Sequence, residues 1–269
     1  SNFSVREGIY NSIEILTTFL YNLGHYFFLQ AENSMSYFRN LRFLIILLIF
    51  LCVSASACVM RRHAPVAAPQ ERIDRSSESA AQVLLVLDDS FLFLIARKVY
   101  ALEKRDGVWR QALDPIKAVV GRNGFAPEGE KREGDGRTPS GRFRLGTAFG
   151  YAPSVNTKMP YRQVLSDDLW VDDPGAPDYN RWVRQSETQA TSYEKMKRDD
   201  DLYKYGIVIE YNTDPILPGN GSAIFLHIWA GERQATAGCV AVSEEDILKL
   251  LGWLDPAAKP VIIINPDYP

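Results

Sequence analysis

Hydrophobic residues are grouped into short runs along most of the chain. Val83-Leu84-Leu85-Val86-Leu87 and Leu92-Phe93-Leu94-Ile95-Ala96 flank Asp88-Asp89-Ser90, a pattern that predicts a β-hairpin. Ala118-Val119-Val120, closed by Gly121, reads as another short strand, and alternation resumes from Gly141 to Leu145. Gly206 to Tyr211, Ser222 to Trp229 and Val261 to Ile264 supply further strands. One helix is well marked. Ser243 can cap it with Asp246 three residues on; Ile247, Leu248, Leu250, Leu251 and Leu254 form its apolar face, and Pro256 ends it. A second helix is expected over Ser192 to Asp199. Short strands dominate, so the expected fold is mainly β with a few helices packed on it. The stretch from Tyr151 to Tyr205 is dense in Pro, Asp, Asn, Trp and Tyr, and a connection of that length is more often functional than inert.

The first third is organised differently. From Met35, Arg39 and Arg42 precede an apolar run from Phe43 to Val53, followed by Ala55-Ser56-Ala57, which together read as a signal peptide over residues 35–57. The run is shorter than the roughly 20 residues that a membrane span needs. Cys58 directly follows the small residues, where a bacterial lipoprotein carries its lipidated cysteine. Residues 58–81, rich in Ala, Pro, Ser, Arg and Glu, read as a flexible linker. Residues 1–34 hold scattered apolar positions and stay unassigned. The folded domain is expected over residues 82–269, with its core ending near Pro266. Such a protein would be exported to the periplasm or cell envelope and would meet a membrane only through the signal peptide or a lipid on Cys58.

Composition narrows the function. A net charge of −3 gives no global signal for nucleic acid. Of three cysteines and three histidines, only Cys239 and His227 fall in the folded body, twelve positions apart. A structural zinc site uses four ligands and a catalytic one usually three from the protein, so no metal site is expected.

The two residues make chemical sense together. His227 sits near the end of the apolar run Ala223-Ile224-Phe225-Leu226-His227-Ile228-Trp229, on the face of Ala223 and Phe225 if the run is a strand. A polar loop leads to Thr236-Ala237-Gly238-Cys239 and then to the capped helix. A thiol attacks as thiolate, and a neighbouring imidazole can take its proton. Gly238 permits a tight turn before Cys239, and backbone N–H groups around Ala237 and Gly238 are placed to meet a developing oxyanion. A lone cysteine is more often a small buried hydrophobe, and a lone histidine more often structural. An unpaired thiol in an exported protein shifts that balance towards catalysis.

At these residues the sequence resembles the L,D-transpeptidase family with its YkuD-type catalytic domain. The resemblance rests on His227, on Thr236-Ala237-Gly238-Cys239, and on Lys131-Arg132-Glu133-Gly134-Asp135-Gly136-Arg137-Thr138-Pro139-Ser140-Gly141. It implies a β-sandwich or barrel catalytic domain and no cofactor. It also implies a cysteine enzyme that acts on peptidoglycan stem peptides through a thioester, typically cleaving between an L-configured centre of diaminopimelate and D-Ala. His227 would be base and then acid, oriented by a backbone carbonyl. Ala237 stands where many members have His, Ala241 where many have Arg, and Ile228 where Gly or Ser is common. Tyr211, Asn212, Trp229 and Arg233 are candidate groove residues by position. The competing readings are an L,D-carboxypeptidase or endopeptidase, attachment of a lipoprotein to the wall, a non-catalytic wall-binding protein, and a thiol redox role.

Overall fold

The computed structural model of the chain describes residues 79–88 and 97–265. The expected signal peptide, the Cys58 lipid site, most of the linker and Leu92–Ala96 lie outside the described residues.

In chain order the strands are β1 (Gln82–Asp88), β2 (Arg97–Arg105), β3 (Val108–Gln111), β4 (Ile116–Ala118), β5 (Phe125–Ala126), β6 (Thr138–Pro139), β7 (Gly141–Gly150) and β8 (Tyr161–Gln163). There follow β9 (Asp168–Val171), β10 (Trp182–Arg184), β11 (Tyr193–Lys195), β12 (Tyr205–Ile209), β13 (Phe225–Ile228), β14 (Val240–Val242) and β15 (Val261–Ile264), with one α-helix, α1 (Glu244–Trp253), between the last two. The main sheet runs β14-β13-β12-β7-β15-β1-β2-β3, with β4 on β2 and β8 on β7. The mainly β expectation holds, with a single α-helix among the described residues.

Strand β1 pairs antiparallel with β2, Asp88 opposite Arg97. The Ser192–Asp199 helix does not form. Tyr193–Lys195 is instead a strand paired with β9, and Tyr193, Glu194, Lys195 and Met196 run exposed, half-buried, exposed, buried. That is period two rather than 3.6, so the sheet face decides the outcome. Helix α1 forms as expected: the Ser243 hydroxyl accepts the Asp246 N–H at 3.1 Å, and Ile247, Leu250 and Leu251 are buried.

Alternation along β12 and β13 gives the sheet two unlike faces. One carries Ile207, Ile209, Leu226 and Ile228, which join Val240, Val242 and the buried face of α1 in the main core. The other carries Val208, Phe225 and Cys239, packed with Phe149, Trp170, Met196 and Tyr203. Much of this second cluster comes from residues 151–205, which fold into a three-stranded sheet, β10-β9-β11. Wholly buried Asp168 anchors it, accepting from Arg162 Nη2 and from the Leu165 N–H, both at 2.7 Å. The long connection is therefore a folded layer laid over one face of the main sheet.

Candidate active site

Strands β13 and β14 run parallel, with Leu226 opposite Val240 and His227 opposite Ala241. Carried back one residue, that register sets Cys239 level with Phe225, on the same face as His227. Cys239 and His227 both line one cavity of about 380 Å³, although they are only 8% and 5% exposed. The cavity floor is this ladder. Its rim is the 230–238 loop, and its far wall comes from the 151–205 layer and the Lys131–Gly134 turn.

The histidine is held in one tautomer. His227 Nδ1 lies 2.7 Å from the Ile228 carbonyl oxygen, which can only accept, so Nδ1 carries the proton and Nε2 keeps its lone pair. Burial pushes the imidazole down to about 4, opposed by that carbonyl and by the Leu202 carbonyl and reinforced by the Arg198 cation. Tyr203 packs edge-on against the ring, centroids 5.1 Å apart.

The thiol rests on backbone. Cys239 Sγ–H donates to the Ala223 carbonyl at 3.2 Å, and Sγ accepts from the Phe225 N–H at 3.4 Å. Burial pushes the thiol up to about 12, against the Phe225 N–H, which pulls it down. The pair is therefore a neutral thiol and a neutral imidazole, with the sulfhydryl proton directed at the Ala223 carbonyl. Ala223 sits at φ 52°, the left-handed region that costs a residue with a Cβ about 1–2 kcal/mol. Its N–H is held at 3.1 Å by the Oδ1 of buried Asn180, which also accepts from Trp170 Nε1 at 2.8 Å.

The glycine-rich segment before β7 is the brace beneath the cysteine turn. Asp135 accepts from Lys131 Nζ at 2.7 Å and from the Arg132 and Arg137 N–H groups, both at 2.8 Å. Burial pushes its carboxyl up, but the Lys131 ammonium and the Arg132 and Arg137 N–H groups together hold it below the usual range. The closed turn delivers Thr138, whose hydroxyl accepts the Gly121 N–H at 2.9 Å and donates to the Cys239 carbonyl at 3.3 Å. Thr236 Oγ1 donates to the same carbonyl at 2.7 Å. Gly238 is favoured by closeness rather than by an unusual turn: a Cβ there would lie 3.0 Å from the Arg137 carbonyl oxygen.

The other sequence-named residues divide. Ala237, Gly238 and Trp229 line the cavity. The Gly238 N–H, expected to face an oxyanion, is already donated to Thr236 Oγ1 at 3.1 Å. Tyr211, Asn212 and Arg233 are not among the lining residues. Tyr211 packs against Phe143 in the main core and donates to the Asn220 carbonyl at 2.6 Å. Asn212, at φ 53°, ties its own loop through the Leu217 N–H and the Leu217 and Gly221 carbonyls. Arg233 lines a separate shallow depression on the 231–234 loop. Tyr211 and Asn212 lie past the end of β12, where one turns into the main core and the other closes its own loop. The residues that sequence reasoning missed are Asn180, Glu133, Asp172, Glu194, Arg198 and Tyr203. The density of polar and aromatic residues across 151–205 was the one signal for most of them. Among the described residues no group of three His, Cys, Asp or Glu side chains is gathered closely enough to hold a metal.

Residues 90–263 match the family of L,D-transpeptidase catalytic domains, YkuD. The search of curated proteins gave no match. Among solved structures, the helical cell shape determining protein Pgp2 from Campylobacter jejuni aligns with 16% identity and a TM-score of 0.36, over 70% of this chain and 48% of that one. The chain thus spans about half the length of that protein, and a likeness so slight carries no argument here.

Proposed function

Because this chain belongs to the L,D-transpeptidase catalytic domain family, we propose that it is an acyltransferase that uses Cys239 to cut and re-join stem peptides of peptidoglycan. The observation that carries the reading is the commitment of His227 Nδ1–H to the Ile228 carbonyl, which leaves Nε2 as a base in the cavity that holds the only described thiol. A carbonyl of the donor peptide enters the cavity. The sulfhydryl proton leaves Ala223 and passes to Nε2 as Sγ attacks the carbonyl carbon. Backbone N–H groups of Ala237 and Cys239 take the developing oxyanion, since that of Gly238 is engaged. His227 then protonates the leaving amine, and a thioester on Cys239 remains. An amine of a second stem resolves it and gives a cross-link; water in that role gives trimming.

The neutral resting pair fits this order of events. Burial makes a standing thiolate costly, so proton transfer belongs with the attack rather than before it. The substrate lies outside the cytoplasm, which makes export through the Met35–Ala57 segment part of the proposal.

Intact-protein mass spectrometry after incubation with a carbapenem or a tetrapeptide stem tests it. The expected result is a covalent adduct on Cys239, absent from Cys239→Ala and strongly slowed in His227→Ala. No adduct on the wild-type protein with either reagent would overturn the proposal. New dimers against trimmed monomers, in a digest of treated cell wall, separate transfer from hydrolysis.

A further inference from the structure

The cavity wall supplied by the 151–205 layer carries charges of both signs that the chemistry at Cys239 does not use. On β9 and β11, Glu194 stands opposite Trp170, and the Asp172 N–H donates to the Ser192 carbonyl two residues along the same antiparallel ladder. That register puts Asp172 and Glu194 on one face, next to each other on the diagonal. Asp172 Oδ1 is buried and has no hydrogen-bond partner. Burial raises both carboxyls, against a Ser192 hydrogen bond that lowers Asp172 and the Arg198 cation that lowers Glu194.

Beside them stands Arg198. Its Nε and Nη2 donate to Asp200 at 2.8 and 2.6 Å, and its Nη1 donates to Glu194 at 3.3 Å. A guanidinium has five N–H donors, so these bonds leave one on each terminal nitrogen. The group lies over Tyr203, 5.0 Å from the ring centroid, and its side chain is 32% exposed on the cavity side of the layer. Its backbone is fixed independently: Tyr151 Oη accepts the Arg198 N–H and donates to its carbonyl.

A lone anion in this position would meet Asp172, Glu194 and Glu133, and a lone cation would meet Arg198. The arrangement suits a ligand that presents an ammonium and a carboxylate on one carbon. We propose that Asp172, Glu194 and Arg198 read a free α-amino-acid end group on the substrate's side chain, its ammonium at the two carboxylates and its carboxylate at the guanidinium. The inference rests on the peptide-acyl reading above and adds the substrate feature that is selected. Diaminopimelate ends in such a zwitterion, whereas lysine offers the ammonium alone.

Binding rather than turnover tests it, using the full chain with Cys239→Ala to prevent reaction. Four tetrapeptide stems are titrated by calorimetry, differing only in the third residue: diaminopimelate, its side-chain carboxamide, its N-acetyl form, and lysine. The diaminopimelate stem should bind about tenfold more tightly than the other three. In the Glu194→Gln background the acetylated stem should lose its disadvantage. In Arg198→Met the carboxamide and lysine stems should lose theirs, with circular dichroism and melting temperature reporting that both variants stay folded. Equal binding of all four stems, or no binding by any, overturns the inference. The failure of the acyl-transfer proposal is read separately, as the absence of any thioester on the wild-type protein. If the wild type is acylated equally by all four stems, the chemistry stands and this inference falls.

Discussion

The two sides of the cavity are built on opposite principles. The floor, β13 and β14, is apolar and uncharged: Phe225, Leu226 and Val240 are wholly buried, and the two reactive side chains rest neutral on backbone carbonyls. The wall is a small sheet whose cavity-facing residues are ionisable and only partly paired. A low-polarity floor strengthens whatever charge develops during reaction, because little water screens it. A charged wall can discriminate between substrates by what it leaves unpaired. The two are joined at a few points, where Asn180 holds the Ala223 N–H and Tyr203 packs on the His227 ring.

Three perturbations test that separation. The largest effect should come from the floor: His227→Gln removes the base but keeps a polar side chain. The rate of carbapenem acylation should fall by about 10²–10⁴-fold, the usual range for a general base, while peptide binding to the variant stays near the wild-type value. Unchanged acylation would remove His227 from the chemistry. Next comes the anchor of the wall. Asp168→Ala leaves Arg162 and Arg184 without their buried partner. Because both guanidiniums are partly exposed, the cost should sit near the low end for a broken buried pair, about 3 kcal/mol. Hydrogen exchange should then speed up across residues 160–200 and leave β12 and β13 protected. Equal loosening of both regions would show one cooperative unit in place of two.

The third is pH. His227 is held near 4 in the folded protein by burial, below its ordinary 6.5. The unfolded chain therefore binds a proton more readily, and stability is lost as pH falls from about 6.5 towards 4. The full difference is about 3 kcal/mol, at 1.36 kcal/mol for each unit. Wild-type denaturation midpoints should drop over that window more steeply than those of His227→Gln. Parallel curves would mean that the imidazole is freely hydrated in the fold.

The same contrast explains what the sequence could reveal. The floor was legible because its signals are local: an apolar run fixes the face of His227, and Ser243 with its apolar stripe fixes α1. The wall was not, since the meaning of Asp172 and Glu194 depends on the pairing of strands some twenty residues apart. Tyr193 to Met196 misled for a related reason: four residues that alternate in burial show no strand pattern until the sheet that buries one side is known. Asn180 carries no local pattern at all, yet it reaches Ala223, Tyr211 and Asn212. The strand that pairs with β1 is Arg97–Arg105, a stretch less hydrophobic than the Leu92–Ala96 run that the sequence singled out. Gly238 was singled out as a turn residue, whereas its φ is ordinary and what it spares is a tight 3.0 Å approach of a Cβ to the Arg137 carbonyl.

The smallest predicted effect concerns the joint between the glycine-rich brace and the floor. Thr138 is fully buried, and its hydroxyl is the one atom that both accepts the Gly121 N–H and donates to the carbonyl of Cys239. Thr138→Val keeps the shape and removes that atom. A buried N–H then loses its partner, which costs about 1–3 kcal/mol. The Cys239 carbonyl keeps Thr236 Oγ1 at 2.7 Å, so the turn should loosen without collapsing. Acylation should therefore slow only several-fold while the melting temperature falls by a few degrees. Thr138→Ser restores the hydroxyl and should recover the rate more fully than the stability, since it still lacks the methyl group. If Thr138→Val melts lower but reacts at the wild-type rate, the Lys131–Gly141 segment is a structural brace alone, and the placement of Sγ belongs to β13 and β14 by themselves.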